Sequence, residues 1–353
     1  MESSTITFIN GTAHLGCATD IQMYQRHSGI FITNVFVSDI FHVISIVGNP
    51  VMIIRLHRRP VFPDSMTVLF WLIMVTAFAH SIIYAIIQNW SFARAFLNWN
   101  DPCNIMFNEY ECLYWYRANI FSRLQLLSGF IFQTIEIMLI DFAPRFKPSY
   151  LRGAVLSVMS LITSEVVCLW MTSDSPTDKL APNCLQRQGR NLSELKAQLW
   201  VYTVLIFLAM LIASLRQIAL KRKVKPFIVS EEFLNRTNEN ATRFLVVQAF
   251  FLLLLSLVYS VGVTLLIEFV TSIDPKEIGN LTMWFYTYTY AAAILPISLH
   301  RFQVKNTNGR RNAVSVLVTV NSMAKSDVNT QTDKHFEQLR SQWAGPPSLT
   351  SVA

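Results

Sequence analysis

Long apolar segments separated by short polar ones make up most of the chain. No segment alternates apolar and polar residues with the period of two expected of a half-buried strand. A helix needs about 20 mostly apolar residues to cross a bilayer, and only helices or closed barrels can do so. We therefore predict an all-α membrane protein, a bundle of seven membrane-spanning helices. The predicted spans are Gly29–Ile54, Met66–Ile87, Ala118–Ile140, Ala154–Trp170, Ala197–Leu215, Phe244–Ile267 and Leu281–Leu299.

The overall composition agrees with a bundle in lipid. Of the 353 residues, 52% are apolar and only 14% are charged, whereas soluble domains carry about 25% charged residues. The mean hydropathy is +0.36. The lipid bilayer is therefore the first predicted partner.

Basic residues are distributed unequally between the two sets of predicted loops. The set containing the loop 216–243 carries 17 lysines and arginines, and the opposite set carries 8. Because basic residues favour the cytoplasmic side, we predict the N-terminus outside and the C-terminus inside. The predicted order is an extracellular tail (1–28), the bundle (29–299) and a cytoplasmic, mostly disordered tail (300–353). The cluster KRKVK (Lys221–Lys225) flanks a membrane helix, so the net charge of +7 does not indicate nucleic acid.

Sequons for N-glycosylation occur in the predicted outer segments. They begin at Asn10, Asn89, Asn191 and Asn280, and we predict glycans at the first three, because Asn280 lies close to the bilayer. Two further sequons, at Asn235 and Asn240, fall in a predicted inner loop that glycosylation machinery does not reach. The sequons are therefore only a weak test of the orientation.

Four of the five cysteines also fall on the predicted outer side, which is oxidising. Cys168 lies inside the fourth span, where we expect it to pack as a small apolar residue. The other four permit two disulfides in three connectivities. A Cys112–Cys184 bridge would tie the loop after the fourth helix over the mouth of the bundle, and Cys17–Cys103 would hold the N-terminal tail down. Free surface thiols are the alternative.

The segment before the third span carries a resemblance to a known family. NDPCNIMFNEYECLYWYR (Asn100–Arg117) resembles the Asp-Pro-Cys…Cys…Arg segment of nematode serpentine chemoreceptors of the Sra superfamily, which includes the Sra, Srab and Srb classes. CATD at Cys17 and Glu239-Asn240 before the sixth span are similar to further positions of that superfamily. The resemblance implies a G-protein-coupled receptor that detects a small external chemical and signals through a heterotrimeric G protein. It also implies a multi-pass protein of the plasma membrane, with sensory neuron cilia as one expected location.

The inner end of the third span departs from the family pattern. The family has Glu-Arg there, whereas Glu136 is followed by Ile137 in this chain. Arg145 is then a candidate partner for Glu136 or for Asp141. A divergent receptor that no longer couples is therefore one alternative. The resemblance further assigns a G-protein contact to basic residues below the fifth span, namely Lys221, Arg222 and Lys223.

Ionisable and aromatic residues inside the spans are the candidate ligand contacts. Arg123 lies eleven residues beyond Cys112, about 16 Å along a helix, where it can meet an anionic ligand or pair with Asp39. Tyr288 and Tyr290 lie deep enough in the seventh span to line a cavity between helices. Internal pairing and snorkelling to the interface are the alternatives for the charged groups, and an interfacial aromatic belt for nearby tyrosines.

Motifs of enzymes and metal sites are absent from the sequence. There is no GxSxG, P-loop, HExxH or closely spaced Cys/His set. We therefore predict neither an enzyme nor a bound cofactor or metal. A seven-helix transporter or ligand-gated channel is the alternative function; the odd number of spans and the lack of internal repeats argue against a transporter.

Overall fold

The computed structural model describes residues 7–9, 12–14, 17–142, 148–173, 180–181, 184–185, 192–222, 229–269 and 275–305. These residues are mostly helical. The helices are α1 (Asp20–His27), α2 (Gly29–Arg58), α3 (Asp64–Leu97), α4 (Glu109–Phe142), α5 (Tyr150–Met171), α6 (Leu192–Arg222), α7 (Val229–Glu268), α8 (Pro275–Trp284) and α9 (288–305). Two short antiparallel pairs accompany them: β1 (Thr7–Ile9) with β2 (Thr12–His14), and β3 (Phe107–Asn108) with β4 (Leu180–Ala181).

Six helices of the described chain are long and apolar enough to cross a bilayer. They are α2, α3, α4, α5, α6 and α7, which contain the first six predicted spans. Among these, α3 and α4 are the most enclosed, with 50% and 67% of their most apolar windows buried, whereas the windows of α5 and α6 are 28% buried. The bundle is therefore built around α3 and α4, and the outer helices present apolar side chains such as Phe36, Ile162 and Val166 to the lipid.

The predicted seventh span is wrong as one continuous helix. Helix α8 ends at Trp284, residues 285–287 are not helical, and α9 begins at residue 288. The run from Trp284 to Thr289 is aromatic and β-branched, and such residues lose rotamer freedom in a helix. Contacts with α7 stabilise the break. The ring of Phe285 lies directly over Gly262, and the hydroxyl of Thr287 donates a hydrogen bond to the Leu255 carbonyl oxygen at 2.8 Å.

Two predicted loops are also too long. The outer loop 88–117 shrinks to residues 98–108, because α3 continues to Leu97 and α4 begins at Glu109. The inner loop 216–243 shrinks in the same way, since α6 continues to Arg222 and α7 begins at Val229. Hydropathy marks only the part of a helix that lies in hydrocarbon about 30 Å thick, whereas α7 has 40 residues and is about 60 Å long.

The chain divides into two compact units, Met1–His300 and Arg301–Ala353. The first unit contains the bundle. Of the second, only residues 301–305 are described, so the predicted cytoplasmic tail lies almost entirely outside the described residues.

Candidate functional site

Two disulfides close one end of the bundle, where α2 begins and α3 ends. Cys112, in the first turn of α4, is bonded to Cys184. Beside this bridge, β3 pairs with β4, which holds the segment after α5 against the start of α4. Cys17 is bonded to Cys103, and the neighbouring Ala18 amide donates a hydrogen bond to the Pro102 carbonyl at 2.8 Å. These are the two pairings favoured by the sequence among the three connectivities.

Arg123 lies in the centre of the bundle without a carboxylate partner. The residue is 7% exposed, and its guanidinium carbon lies 5.5 Å from the centre of the Tyr288 ring. Its electrostatic neighbours are tyrosines: Tyr259, Tyr288, Tyr286 and Tyr116. In the part of the chain that the structure describes, no carboxylate is within ion-pair distance of Arg123, and its Nε atom has no hydrogen-bond partner.

An aromatic cluster surrounds this cation. Tyr286 stacks on Tyr84 of α3 with ring centres 4.7 Å apart, and Tyr259 of α7 lies edge-on to it at 5.8 Å. Tyr288 lies 5.6 Å from Tyr286. In a continuous helix, residues two positions apart point about 160° away from each other. The break between α8 and α9 is what lets Tyr286 and Tyr288 face the same site.

Polar groups complete the cluster between α3 and α4. The Nδ1 atom of His80 is 2.9 Å from the hydroxyl of Ser122, and its Nε2 atom is 3.4 Å from the Tyr286 hydroxyl. That hydroxyl is also 3.4 Å from the Asn119 side-chain oxygen, to which it can donate. The site thus offers one cation and several neutral hydroxyl and amide groups, and we call Tyr84, Arg123, Tyr259, Tyr286 and Tyr288 the arginine–tyrosine cluster.

Two of the four predicted ligand contacts do not join this cluster. Asp39 accepts a hydrogen bond from the Asn89 side-chain amide at 2.9 Å and does not pair with Arg123, which rules out one of the two alternatives for that cation. The reason is geometric, because neighbouring residues on that face of α2 are exposed to the lipid. Tyr290 packs edge-on against Phe41 of α2 at 4.7 Å. Only Arg123 and Tyr288 are brought together.

Several residues of the site are not predicted by the sequence analysis. Tyr84 and Tyr259 were not singled out, because a tyrosine within a span is usually read as an interface residue. His80 and Tyr84 are four residues apart on α3, and such spacing places two side chains on one helix face. That spacing was the available signal for α3, whereas the contribution of Tyr286 depends on the helix break.

The opposite end of the bundle contains two ion pairs that both involve α4. The Glu136 side chain is 0% exposed, and its Oε1 atom accepts hydrogen bonds from Arg152 of α5, whose Nε lies at 3.1 Å, and from the hydroxyl of Ser65 of α3. Asp141 accepts two hydrogen bonds from Arg216 of α6, at 2.6 and 3.1 Å. Arg216 also donates to the hydroxyl of Thr242 of α7. These pairs connect the ends of five helices.

The predicted G-protein side is only partly described. Arg145 and Lys223 lie outside the described residues, and Lys221 and Arg222 form the end of α6. Ile137 is 1% exposed and packs inside the bundle. Cations from α5 and α6 therefore pair with the two acids of α4.

Comparison with known proteins now decides the family. A family model described as "Serpentine type 7TM GPCR chemoreceptor Sra" matches residues 12–343. The chain belongs to the Sra family of serpentine chemoreceptors. It is 25% identical to serpentine receptor class alpha-10 of Caenorhabditis elegans over 93% of this chain and 97% of that receptor. Class alpha-10 of Caenorhabditis briggsae has the same identity and coverage, and class alpha-7 of C. elegans is 22% identical over 81% of this chain and 86% of that receptor.

Membership in the Sra family makes this protein a multi-pass membrane receptor of the chemosensory type and not an enzyme. The seven-helix architecture of the family fits the six membrane-length helices, with α8 and α9 in the place of the seventh. Asn89 lies within α3, about two and a half turns before the loop begins, and its glycosylation stays a prediction. Asn10 and Asn191 lie outside the described residues.

Proposed function

We propose that this Sra receptor binds a small external chemical at the arginine–tyrosine cluster and signals through a heterotrimeric G protein at the opposite end of the bundle. The observation that carries the proposal is Arg123, which is buried beneath a disulfide-tethered end and has no carboxylate partner among the described residues. Ionisable groups inside a membrane bundle are costly and mark functional sites.

The proposed orientation places the N-terminus outside, in the plasma membrane. Two facts support it. Both disulfides lie at the end where α2 begins, and disulfides persist on the oxidising side of a membrane. The basic segment KRKVK begins at the opposite end of the bundle, where α6 ends, as expected of a cytoplasmic face.

The proposed signalling step is a shift between two populations of the bundle. Asp141, Arg216 and Thr242 tie the inner ends of α4, α6 and α7 together. An agonist that favours a state in which these ends are parted would open a surface for the G protein. Arg216 of α6 would then replace the arginine that the family has after Glu136 and that this chain lacks.

A cell assay tests the receptor proposal. The full chain with an N-terminal epitope is expressed, and antibody access without permeabilisation reports its orientation. A chemical panel is then applied while a G-protein activation sensor is read. A tag that stays hidden overturns the orientation, and good surface expression without any response to a broad panel favours the non-coupling alternative.

The role of the Asp141–Arg216–Thr242 contact in the signalling step is tested separately, through basal G-protein activity. Arg216→Gln removes the cation that connects three helices, so we expect basal G-protein activity to rise. The matched control is Arg243→Gln, whose ion pair with Glu239 at 3.2 Å lies within α7 alone and connects no helices. Equal basal activity in both variants and the unmodified receptor would remove Arg216 from the switch.

A further inference from the structure

We infer that the ligand of the arginine–tyrosine cluster is an organic anion with an apolar tail: its anionic group pairs with Arg123, and its tail enters the apolar cavity between α4, α7 and α9. The inference rests on the proposed function, because it names the class of chemical that the same site recognises.

The first step is the charge of Arg123. Removing an ion from water costs several kcal/mol even in a relaxed protein interior, and buried charges are therefore paired. Two other arginines in the described chain are at least nine-tenths buried. Arg216 pairs with Asp141, whereas Arg26, which like Arg123 has no carboxylate partner among the described residues, donates to Ser91 near the end of α3, away from the centre of the bundle. Tyr288 offsets part of the cost for Arg123 through a cation–π contact, and Tyr259 does so through a hydrogen bond, but none of the described residues supplies a negative charge.

The second step is the chemistry that would supply this charge. A guanidinium binds a carboxylate or a related oxyanion through two parallel hydrogen bonds. The unpartnered Nε of Arg123 is one such donor. Tyrosine hydroxyls at Tyr259 and Tyr286 lie around the same cation and can donate to an oxyanion as well. A cationic ligand would meet the same charge and be repelled.

The third step is the neighbouring cavity. It starts at Tyr288, the residue on which Arg123 lies, and continues one helical turn further along α4 at Leu126 and Leu127. On α7 it extends from Gln248 to Leu255, about 10 Å at 1.5 Å per residue. Most of its lining is aliphatic or aromatic, which suits an alkyl tail and not a second charge.

The cavity is small in this conformation. Its volume is about 30 Å³, compared with about 300–1,000 Å³ for typical ligand sites. A tail would therefore have to displace side chains between α4 and α7. This displacement would act on the two helices whose inner ends are joined through Arg216, so binding and the release of that contact would be coupled.

Binding to the purified full-length receptor in phosphatidylcholine nanodiscs tests the inference without a G protein. The probes are octanoate, octylamine, octanol and acetate, and the readout is the shift of the thermal unfolding midpoint with probe concentration. We expect octanoate to give a saturable increase, acetate to bind about tenfold or more weakly, and octylamine and octanol to give no saturable increase. An octylamine shift equal to that of octanoate would overturn the inference.

Three variants locate the two parts of the ligand. Arg123→Gln should weaken octanoate binding about tenfold or more, the loss expected of a charge-assisted hydrogen bond, and should raise the midpoint without ligand because an unpaired charge is gone. Leu126→Phe should fill the cavity and abolish the advantage of octanoate over acetate. The control Arg243→Gln should bind octanoate as the unmodified receptor does. Unchanged octanoate binding by Arg123→Gln would overturn the inference. If Arg123→Gln does not fold, an unchanged preference for octanoate over acetate in Leu126→Phe would overturn it.

The same experiment separates this inference from the proposed function. Octanoate binding without any cellular response would leave the ligand class standing and overturn the signalling proposal. A cellular response to cationic chemicals alone would support the signalling proposal and overturn the inferred ligand class.

Discussion

Removal of Arg152 tests how the buried acid of α4 is stabilised. The Glu136 side chain is 0% exposed and that of Arg152 is 15% exposed. One carboxylate oxygen accepts the hydrogen bonds from Arg152 and Ser65, and the other, Oε2, is buried without a hydrogen-bond partner. Water therefore solvates the carboxylate only weakly when its cation is removed.

The expected magnitudes are unequal for the two partners. Arg152→Gln leaves a charged carboxylate in the interior, and such a loss costs about 3–5 kcal/mol, or about a hundredfold or more in the folding equilibrium. Glu136→Gln leaves a cation that reaches the bundle surface through its 15% exposed side chain, so we expect a smaller cost. The double variant Glu136→Gln/Arg152→Gln has no buried charge and should be more stable than Arg152→Gln alone.

The assay is unfolding of the purified receptor in detergent with its disulfides intact, accompanied by surface expression in cells. A double-mutant cycle from the four proteins isolates the interaction energy of the pair. Equal destabilisation by the two single variants, or strictly additive effects in the double variant, would refute the view that Arg152 stabilises an otherwise uncompensated buried charge.

Three further substitutions test close approaches and the outer end. Gly262→Ala places a Cβ 2.3 Å from the ring of Phe285, so we expect a loss of about 1–3 kcal/mol in thermal unfolding and a weaker response to ligand. Gly153→Ala places a Cβ 2.6 Å from a backbone oxygen of α3, and it should lower stability and surface expression more than Ala at an exposed position of α5 would. Replacing both Cys17 and Cys103 by Ser removes a bridge between residues 86 positions apart, and a loss of about 4–5 kcal/mol is expected from the chain-entropy model; unchanged unfolding would contradict a stabilising role.

The spans could be predicted because they depend on local properties, whereas the four outer cysteines could only be placed on one side, with three pairings open. Transfer of apolar residues into lipid is nearly additive along a segment, and so hydropathy located α2 to α7. The topology then placed Cys112 and Cys184 on one side of the membrane. Hydropathy could not locate the helix ends. Outside the hydrocarbon, capping and packing determine where a helix ends, and hydropathy measures neither.

The arginine–tyrosine cluster could not be predicted because it depends on helix rotation and on the break at residues 285–287. Tyr286 faces Tyr84 only because α8 ends before it. For the acids of α4, the structure brings Arg152 to Glu136 and Arg216 to Asp141, although both cations are distant in the sequence. Arg145, the nearest cation in the sequence, lies outside the described residues.

The two acids of α4 have different roles because they differ in exposure. Glu136 and Asp141 are five residues apart and point about 140° away from each other, so they cannot share one cation. Breaking the Glu136 pair would leave a 0% exposed charge, whereas Asp141 has a 31% exposed side chain and can turn to water when Arg216 leaves. Since the cost of separating an ion pair falls as its members become solvated, the Asp141–Arg216 contact is the one that we expect to open in the proposed signalling step. Asp141→Asn should therefore raise basal G-protein activity, with a loss of stability because Arg216, whose side chain is 7% exposed, keeps its charge without a carboxylate, whereas Glu136→Gln should leave basal activity unchanged and cost less stability than Arg152→Gln.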